Sequence, residues 1–160
     1  MKNLYLSKGT GENTTEMGAY CEALRKAGII GLNIIQLSSV LPHNSKIILK
    51  NPPVTHQDLG KKIYSVLSEI RSSKKGETIC AGIGWIKEIA GNGHGIIIEI
   101  QGNSREKVEK EIKETLLAVT NPKKYDNIKI FTESIICKKN PVCALIAISF
   151  EIKDWGKEFK

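Results

Sequence analysis

The sequence lacks the features that mark membrane and secreted proteins. Aromatic residues make up only 6% of its 160 residues. No apolar run reaches the roughly 18 residues that a membrane-spanning helix requires. The first residues contain neither the apolar stretch nor the small-residue cleavage site of a signal peptide. These absences predict a cytoplasmic protein with no membrane partner.

Metal-binding patterns are also missing from the cysteines and histidines. No C-x-x-C pair occurs, and the three histidines form no cluster at ligand spacing. An unpaired cysteine packs as a small apolar side chain. The sequence therefore predicts no metal site and four free, buried thiols, at Cys21, Cys80, Cys137 and Cys143.

The net charge of +7 raises the question of a nucleic-acid partner. The densest charge run, residues 105–114, mixes both signs at i,i+4 spacing, which is typical of a solvated helix face. The other lysines lack interleaved aromatic residues on which bases would stack. The distribution of charge therefore predicts no nucleic-acid partner.

Hydropathy patterning predicts a single α+β domain over residues 1–160. Two amphipathic helices interrupt a series of strands, an order that favours helices packed on the outer faces of sheets. Gly9 and Gly11 are assigned to a loop between the first strand and the first helix. Strands are predicted at residues 3–7, 29–37, 46–49, 61–67, 78–86, 95–101, 128–136 and 142–152.

Capping residues and apolar stripes define the two helices. Asn13 with Glu16, and Asn103 with Glu106, have the spacing of a capping box, and Gly28 has the position of a C′ residue. Apolar residues then recur at helical spacing. The predicted buried stripes are Met17, Tyr20, Cys21, Leu24 and Ala27 in the first helix, and Val108, Ile112, Thr115, Leu116 and Val119 in the second.

A glycine-rich segment at residues 90–94 resembles a phosphate-binding loop only superficially. A phosphate-binding loop opens a helix, whereas this segment precedes the β-branched run at residues 95–101. We interpret it as the turn of a β-hairpin.

Three polar features interrupt the apolar strands. The pair Ser38 and Ser39 follows a predicted strand, where adjacent serines ordinarily mark a polar strand end. Asn33 lies in the middle of that strand, and a buried amide needs hydrogen-bond partners. Glu99 shares a strand face with Ile97, and that face is either solvent-exposed or partly buried. Burial would favour the protonated carboxyl that general acid catalysis requires, and the residues alone leave both alternatives open.

Residues 8–47 resemble the amino-terminal part of the pyruvoyl-dependent arginine decarboxylases. The motif A-L-R-K-A-G-I, the strand asparagine Asn33 and the motif L-S-S-V-L-P carry the resemblance. It extends more loosely through GETICAGIGWI and GIIIEIQG to VCALIAISF, and so covers nearly the whole chain.

The resemblance implies a self-cleaving proenzyme. Cleavage between Ser38 and Ser39 would leave a β chain, 1–38, and an α chain, 39–160, whose first residue, derived from Ser39, is a covalent pyruvoyl group. Serine is required because its oxygen is both nucleophile and leaving group. The resemblance further implies that Asn33 assists processing and substrate positioning, and that Glu99 is the general acid. The pyruvoyl group would replace pyridoxal phosphate as the electron sink.

The resemblance also implies an architecture and a reaction. The fold would be a four-layer αββα sandwich with two amphipathic helices on mainly antiparallel sheets. It would assemble as a homotrimer or a dimer of trimers, with each active site between subunits. The reaction would convert arginine to agmatine and carbon dioxide, for polyamine biosynthesis. Two alternatives are a decarboxylase for a different amino acid, and a non-catalytic oligomeric homologue that binds a small ligand or regulates a paralogue.

The first helix departs from the family pattern at the substrate-binding position. Cys21 lies where the resemblance implies an aspartate that binds the arginine guanidinium. A thiol offers neither the charge nor the two oxygens that pair with a guanidinium. The adjacent Glu22 is rotated by about 100° from the buried stripe. We therefore expect weak activity on arginine or a preference for another amino acid, with Cys21 and Glu22 as candidate substrate-binding residues.

Overall fold

Two β-sheets pack face to face in this protein, and one α-helix covers the outer face of each. The computed structural model describes residues 1–89, 93–121 and 123–156. The α-helices of this described part are α1 (Glu16–Lys26) and α2 (Arg105–Val119), and residues His56–Asp58 form a short 3₁₀ helix. Its strands are β1 (Lys2–Glu12), β2 (Asn33–Gln36), β3 (Val40–Leu41), β4 (Ser45–Leu49), β5 (Lys62–Ser72), β6 (Thr78–Lys87), β7 (Gly95–Gly102), β8 (Lys129–Ile136) and β9 (Val142–Lys153).

The strands form one sheet of five strands and one of four. The five-stranded sheet has the order β2-β5-β9-β1-β4, and the four-stranded sheet has the order β3-β7-β6-β8. Most neighbours are antiparallel, whereas β1 with β4 and β2 with β5 run parallel. The chain passes from the first sheet to the second between β2 and β3, and that short connection contains both serines.

Three apolar layers hold the four-layer sandwich together. The central layer lies between the sheets and includes Leu6, Val66, Ile83 and Ile146. The other two layers lie beneath α1 and beneath α2. Each of these two layers is apolar because the apolar stripe of a helix and one face of a sheet bury each other. The predicted αββα sandwich, with two helices on mainly antiparallel sheets, is confirmed.

The first strand corrects the prediction of a glycine loop. Gly9 and Gly11 lie within β1, directly beneath α1. A Cβ atom on Gly11 would lie 1.8 Å from the carbonyl oxygen of Ala19, and one on Gly9 would lie 2.1 Å from that of Ala23. Glycine is therefore needed here for close approach of the helix. The buried stripe contains these alanines, whereas Met17 is 59% exposed.

The helix ends are set by side chains one or two residues from the predicted caps. Thr15, rather than Asn13, caps α1 by accepting a hydrogen bond from the backbone N–H of Gly18 at 3.0 Å. Ser104, rather than Asn103, caps α2. A threonine or serine oxygen satisfies one of the free N–H groups of the first turn in each case. The C′ prediction holds, since Gly28 has a φ of +72°.

The predicted strand 29–37 is wrong in its first half. Residues 29–32 form turns around Gly31, and regular pairing begins only at Asn33. In α2, Val108, Ile112 and Leu116 are buried as predicted, whereas the predicted core residue Val119 is 55% exposed. Residues 90–92 of the predicted hairpin turn lie outside the described residues, and the flanking strands β6 and β7 pair antiparallel.

Within the described part of the chain, neither helix has the length and apolarity to span a membrane.

Candidate active site

The two serines lie in a tight turn that carries the chain from one sheet to the other. We call residues 38–40 the crossover turn. The backbone N–H of Val40 donates a hydrogen bond to the Ser38 carbonyl at 2.8 Å, which closes a three-residue turn. The N–H of Ile97 donates to the Ser39 carbonyl, also at 2.8 Å. These two bonds fix the crossover turn against β7.

Glu99 meets the hydroxyl of Ser39 inside this turn. The Ser39 hydroxyl lies 2.8 Å from Oε1 and 2.6 Å from Oε2 of the Glu99 carboxylate. Both side chains are half-buried. Ile97, on the same face of β7, is fully buried between the sheets. Of the two alternatives for Glu99, the structure therefore shows partial burial on the inner face.

This geometry suits activation of a serine nucleophile. A carboxylate within 2.6–3.2 Å of a hydroxyl can accept its proton. The carbonyl of Ser38, one bond before the nitrogen of Ser39, already receives the Val40 N–H, and such a donor stabilises negative charge on the oxygen. A nucleophile, a base and an oxyanion donor thus surround one peptide bond.

Within one chain, Asn33 does not contact Ser39, Glu99 or the Val40 N–H. It is the first residue of β2 and is exposed, which corrects the predicted buried amide in mid-strand. Its Nδ2 atom donates to the carbonyl of Gly60 at 2.6 Å. At about 3.3 Å per residue, the strand from Asn33 to Gln36 alone covers about 10 Å. The N–H that contacts the Ser38 carbonyl in the structure is instead the backbone N–H of Val40.

The wall of an open cavity of about 370 Å³ includes Gln36, three residues before Ser39, and Gln101, two residues after Glu99. We call this cavity the side cavity. One helix and three strands contribute to its wall: α1, β2, β5 and β7. The lining residues are Tyr20, Ile34, Gln36, Leu67, Glu69 and Gln101.

Glu69 brings a charged group to the side cavity. Its carboxylate accepts hydrogen bonds from Nε and Nη2 of Arg71, at 3.2 and 3.0 Å. The Arg71 guanidinium lies over the ring of Tyr20, with 4.1 Å between its Cζ atom and the ring centroid. Burial, followed by the Glu69 charge, raises the pKa of the Tyr20 hydroxyl. Burial, again with the Glu69 charge, raises the pKa of the nearby Cys143 thiol to about 12.

The candidate substrate-binding residues of α1 do not line the side cavity. Cys21 is half-buried next to Tyr20. The carboxylate of Glu22 forms an ion pair with Arg25 at 2.5 Å on the outer part of the helix. Glu69 was missed because the predicted strand ended at residue 67. Its spacing from Arg71, two residues along β5, was the available signal that both lie on one strand face.

The matches to known proteins extend over nearly the whole sandwich. The family model of pyruvoyl-dependent arginine decarboxylase matches residues 3–152. The chain is 32% identical over 154 residues to the pyruvoyl-dependent arginine decarboxylase of Thermococcus sibiricus, covering 92% of this chain and 93% of the relative. It is 29% identical over 150 residues to that of Pyrococcus furiosus, with the same coverage.

Other relatives are longer than their matched part. The match to pyruvoyl-dependent arginine decarboxylase 1 of Methanosarcina acetivorans is 28% identical over 98 residues, and it spans 61% of this chain and 59% of the relative. The match to the Methanococcoides burtonii relative spans 54% of that protein. The family model nevertheless covers β1 through most of β9, the elements that build the crossover turn and the side cavity. The chain therefore belongs to the pyruvoyl-dependent arginine decarboxylase family.

Proposed function

We propose that this chain is a self-processing amino-acid decarboxylase whose pyruvoyl group arises from Ser39. The observation that carries the proposal is the contact of the Ser39 hydroxyl with both carboxylate oxygens of Glu99, at 2.8 and 2.6 Å. A non-catalytic homologue has no need for a base against the hydroxyl that directly follows the polarised Ser38 carbonyl.

Cleavage begins at the crossover turn. Glu99 accepts the hydroxyl proton, and Oγ of Ser39 bonds to the carbonyl carbon of Ser38 while the Val40 N–H stabilises the oxyanion. The bond from that carbon to the Ser39 nitrogen then breaks, which leaves an ester and a free amine. Loss of the residue-39 Cα proton breaks the Cβ–O bond and releases chain 1–38 as a carboxylate. Hydrolysis of the remaining enamine by one water releases ammonia and leaves the pyruvoyl group on chain 39–160.

The same carboxyl group then serves the second reaction. The pyruvoyl group supplies the electron-withdrawing carbonyl that accepts the electrons left behind by carbon dioxide. Glu99 stays beside the position of residue 39 and donates its proton to the substrate Cα. A positioned general acid of this kind contributes about 10²- to 10⁴-fold to the rate.

Asn33 enters this proposal as a positioning residue. Its bond to the Gly60 carbonyl ties the start of β2 to the segment before β5. Strand β2 ends just before the crossover turn, so its placement affects both processing and substrate positioning. The exposure of Ser38 and Val40 supports a site that a second subunit completes, in a homotrimer or a dimer of trimers.

Arginine is the proposed substrate, with agmatine and carbon dioxide as products for polyamine biosynthesis. The names of the relatives support this choice, and Cys21 alone argues against it. A cytoplasmic location belongs to the same proposal and is supported by the four free cysteines.

The test is the intact mass of the purified protein together with release of carbon dioxide from carboxyl-labelled arginine. We expect two species, residues 1–38 and residues 39–160, with the second blocked at its amino terminus. A single full-length species that releases no carbon dioxide from any amino acid would contradict the proposal.

A further inference from the structure

We propose that Glu69 binds the cationic end of the substrate side chain in the side cavity and so determines specificity. This inference rests on the proposed decarboxylase function. The substrates that fit the side cavity are α-amino acids with a long aliphatic stem and a terminal guanidinium or ammonium group.

The side cavity lies within reach of the crossover turn. Gln36, on one wall, precedes Ser39 by three residues. Gln101, on another wall, follows Glu99 by two residues on the same face of β7, a separation of about 7 Å. A substrate whose reacting carbon lies at residue 39 can therefore extend a long side chain into the cavity.

The edge of the five-stranded sheet opens at this point. Strand β2 pairs with β5 only as far as Gln36 with Ser65, so the rest of β5 is uncovered on that side. The Ser68 hydroxyl donates to the Ile100 carbonyl at 2.9 Å and ties β5 to β7. Its neighbour Glu69 is thereby held facing the side cavity beside the open edge.

Glu69 and Tyr20, both in this wall, already contact a guanidinium of the chain itself. Arg71 places its guanidinium against the Glu69 carboxylate with two hydrogen bonds and over the ring of Tyr20. Bidentate pairing and stacking are the two ways in which proteins recognise this group. Arg71 occupies two of the roughly four lone-pair positions of the carboxylate, and the others remain for a second cation. Glu69 belongs to the lining of the side cavity, whereas Arg71 does not.

The remaining wall suits the stem of such a substrate. Ile34 and Leu67 offer aliphatic contact, while Gln36 and Gln101 are polar and neutral. Glu69 is the charged side chain among the described residues that line the side cavity. Helix α1 thus has a thiol, at Cys21, where the family resemblance implies a carboxylate. Strand β5 provides a carboxylate instead, at Glu69.

The test compares arginine with citrulline, its neutral isostere, on processed protein. For Glu69→Gln we expect KM for arginine to rise about 10- to 100-fold, as loss of a charge-assisted contact predicts, with kcat within about threefold. Citrulline kinetics and self-cleavage, followed by intact mass, should stay unchanged. Glu133→Gln is the matched control, because Glu133 is also half-buried and ion-paired, to Lys8 at 2.8 Å.

Binding of agmatine, measured by titration calorimetry, tests the inference without turnover. Glu69→Gln should weaken agmatine binding about 10- to 100-fold, whereas Glu133→Gln should not weaken it. An unchanged preference for arginine over citrulline together with unchanged agmatine binding would overturn the role of Glu69. A wild-type chain that binds agmatine through Glu69 but neither splits nor releases carbon dioxide would overturn the proposed function instead.

Discussion

The crossover turn and the side cavity both use side chains of β7, and the chain builds them in different ways. The crossover turn uses three consecutive residues and one carboxylate from β7, joined by hydrogen bonds of 2.6–2.8 Å. The side cavity uses side chains from four elements separated by long stretches of sequence. Bond-breaking chemistry therefore depends on a local motif, and substrate selection depends on how α1, β2, β5 and β7 pack.

This difference means that the two regions should respond separately to substitution. A change in the crossover turn alters atoms that react, so it should act on cleavage and kcat. A change in the wall of the side cavity alters only contacts with the substrate side chain, so it should act on KM. Each variant below is chosen to break or sharpen that separation.

The largest effect is expected for Ser39→Ala, because alanine has no oxygen to attack the Ser38 carbonyl. Cleavage should be abolished, as measured by intact mass, while agmatine binding in the side cavity persists. Ser38→Ala is the matched control and should slow cleavage less, since Ser38 contributes mainly its carbonyl. Two fragments from Ser39→Ala would mean that a contaminating protease makes the cut.

Glu99→Gln should have the next largest effect. The amide keeps the shape of the side chain but cannot donate the proton, so kcat on processed protein should fall by about 10²- to 10⁴-fold. Cleavage should slow as well, because the Ser39 hydroxyl loses its base. KM for arginine should change little. A kcat equal to that of the wild type in the processed Glu99→Gln protein would show that Glu99 is not the general acid.

Gly11→Ala tests whether the position of α1 shapes the side cavity. The new Cβ would lie 1.8 Å from a helix carbonyl, which cannot move without the helix. We expect the free energy of unfolding to fall by about 2–3 kcal/mol and KM for arginine to rise as Tyr20 shifts. In Gly102→Ala the nearest atom is a methyl carbon of Val108 at 3.2 Å, so that control should lose less stability. Equal losses, measured by denaturant unfolding, would contradict the backbone clash.

Cys21→Asp should have the smallest effect. Cys21 does not line the side cavity, so an added carboxylate there should change KM for arginine by less than about threefold if Glu69 binds the guanidinium. A large gain in arginine affinity would instead place the guanidinium against α1 and away from β5. Glu22→Gln, measured in parallel, should leave KM unchanged because Glu22 pairs with Arg25 at the surface.

Patterns that depend on near neighbours predicted much of this structure. The buried stripe of α2 at Val108, Ile112 and Leu116 follows directly from helical spacing. The inward side of Glu99 follows from strand alternation once Ile97 is known to be buried. The family resemblance singled out Ser39 as the pyruvoyl precursor and Glu99 as the general acid, and their side chains meet in the folded chain.

Contacts between segments that are far apart in the sequence could not be predicted from such patterns. Glycine is a weak strand former and the sequence predicts a loop at Gly9 and Gly11, but the carbonyls of α1 require a strand without side chains there. The pattern around Asn33 does not predict its partner, which is the carbonyl of Gly60, 27 residues away along the chain. Glu69 lies beyond the predicted strand at residues 61–67, and its spacing from Arg71 indicates only that the two share a strand face.

The sequence by itself determined the order of strands and amphipathic helices, the serine pair and the placement of Glu99 on the same strand face as Ile97. These properties follow from periodicity and local motifs, which act over a few residues. Only the tertiary structure decided that the Val40 N–H polarises the Ser38 carbonyl and that Glu69 faces the side cavity. The sheet crossing between β2 and β3 and the open edge of β5 create those contacts, and both depend on which strands pair across the whole chain.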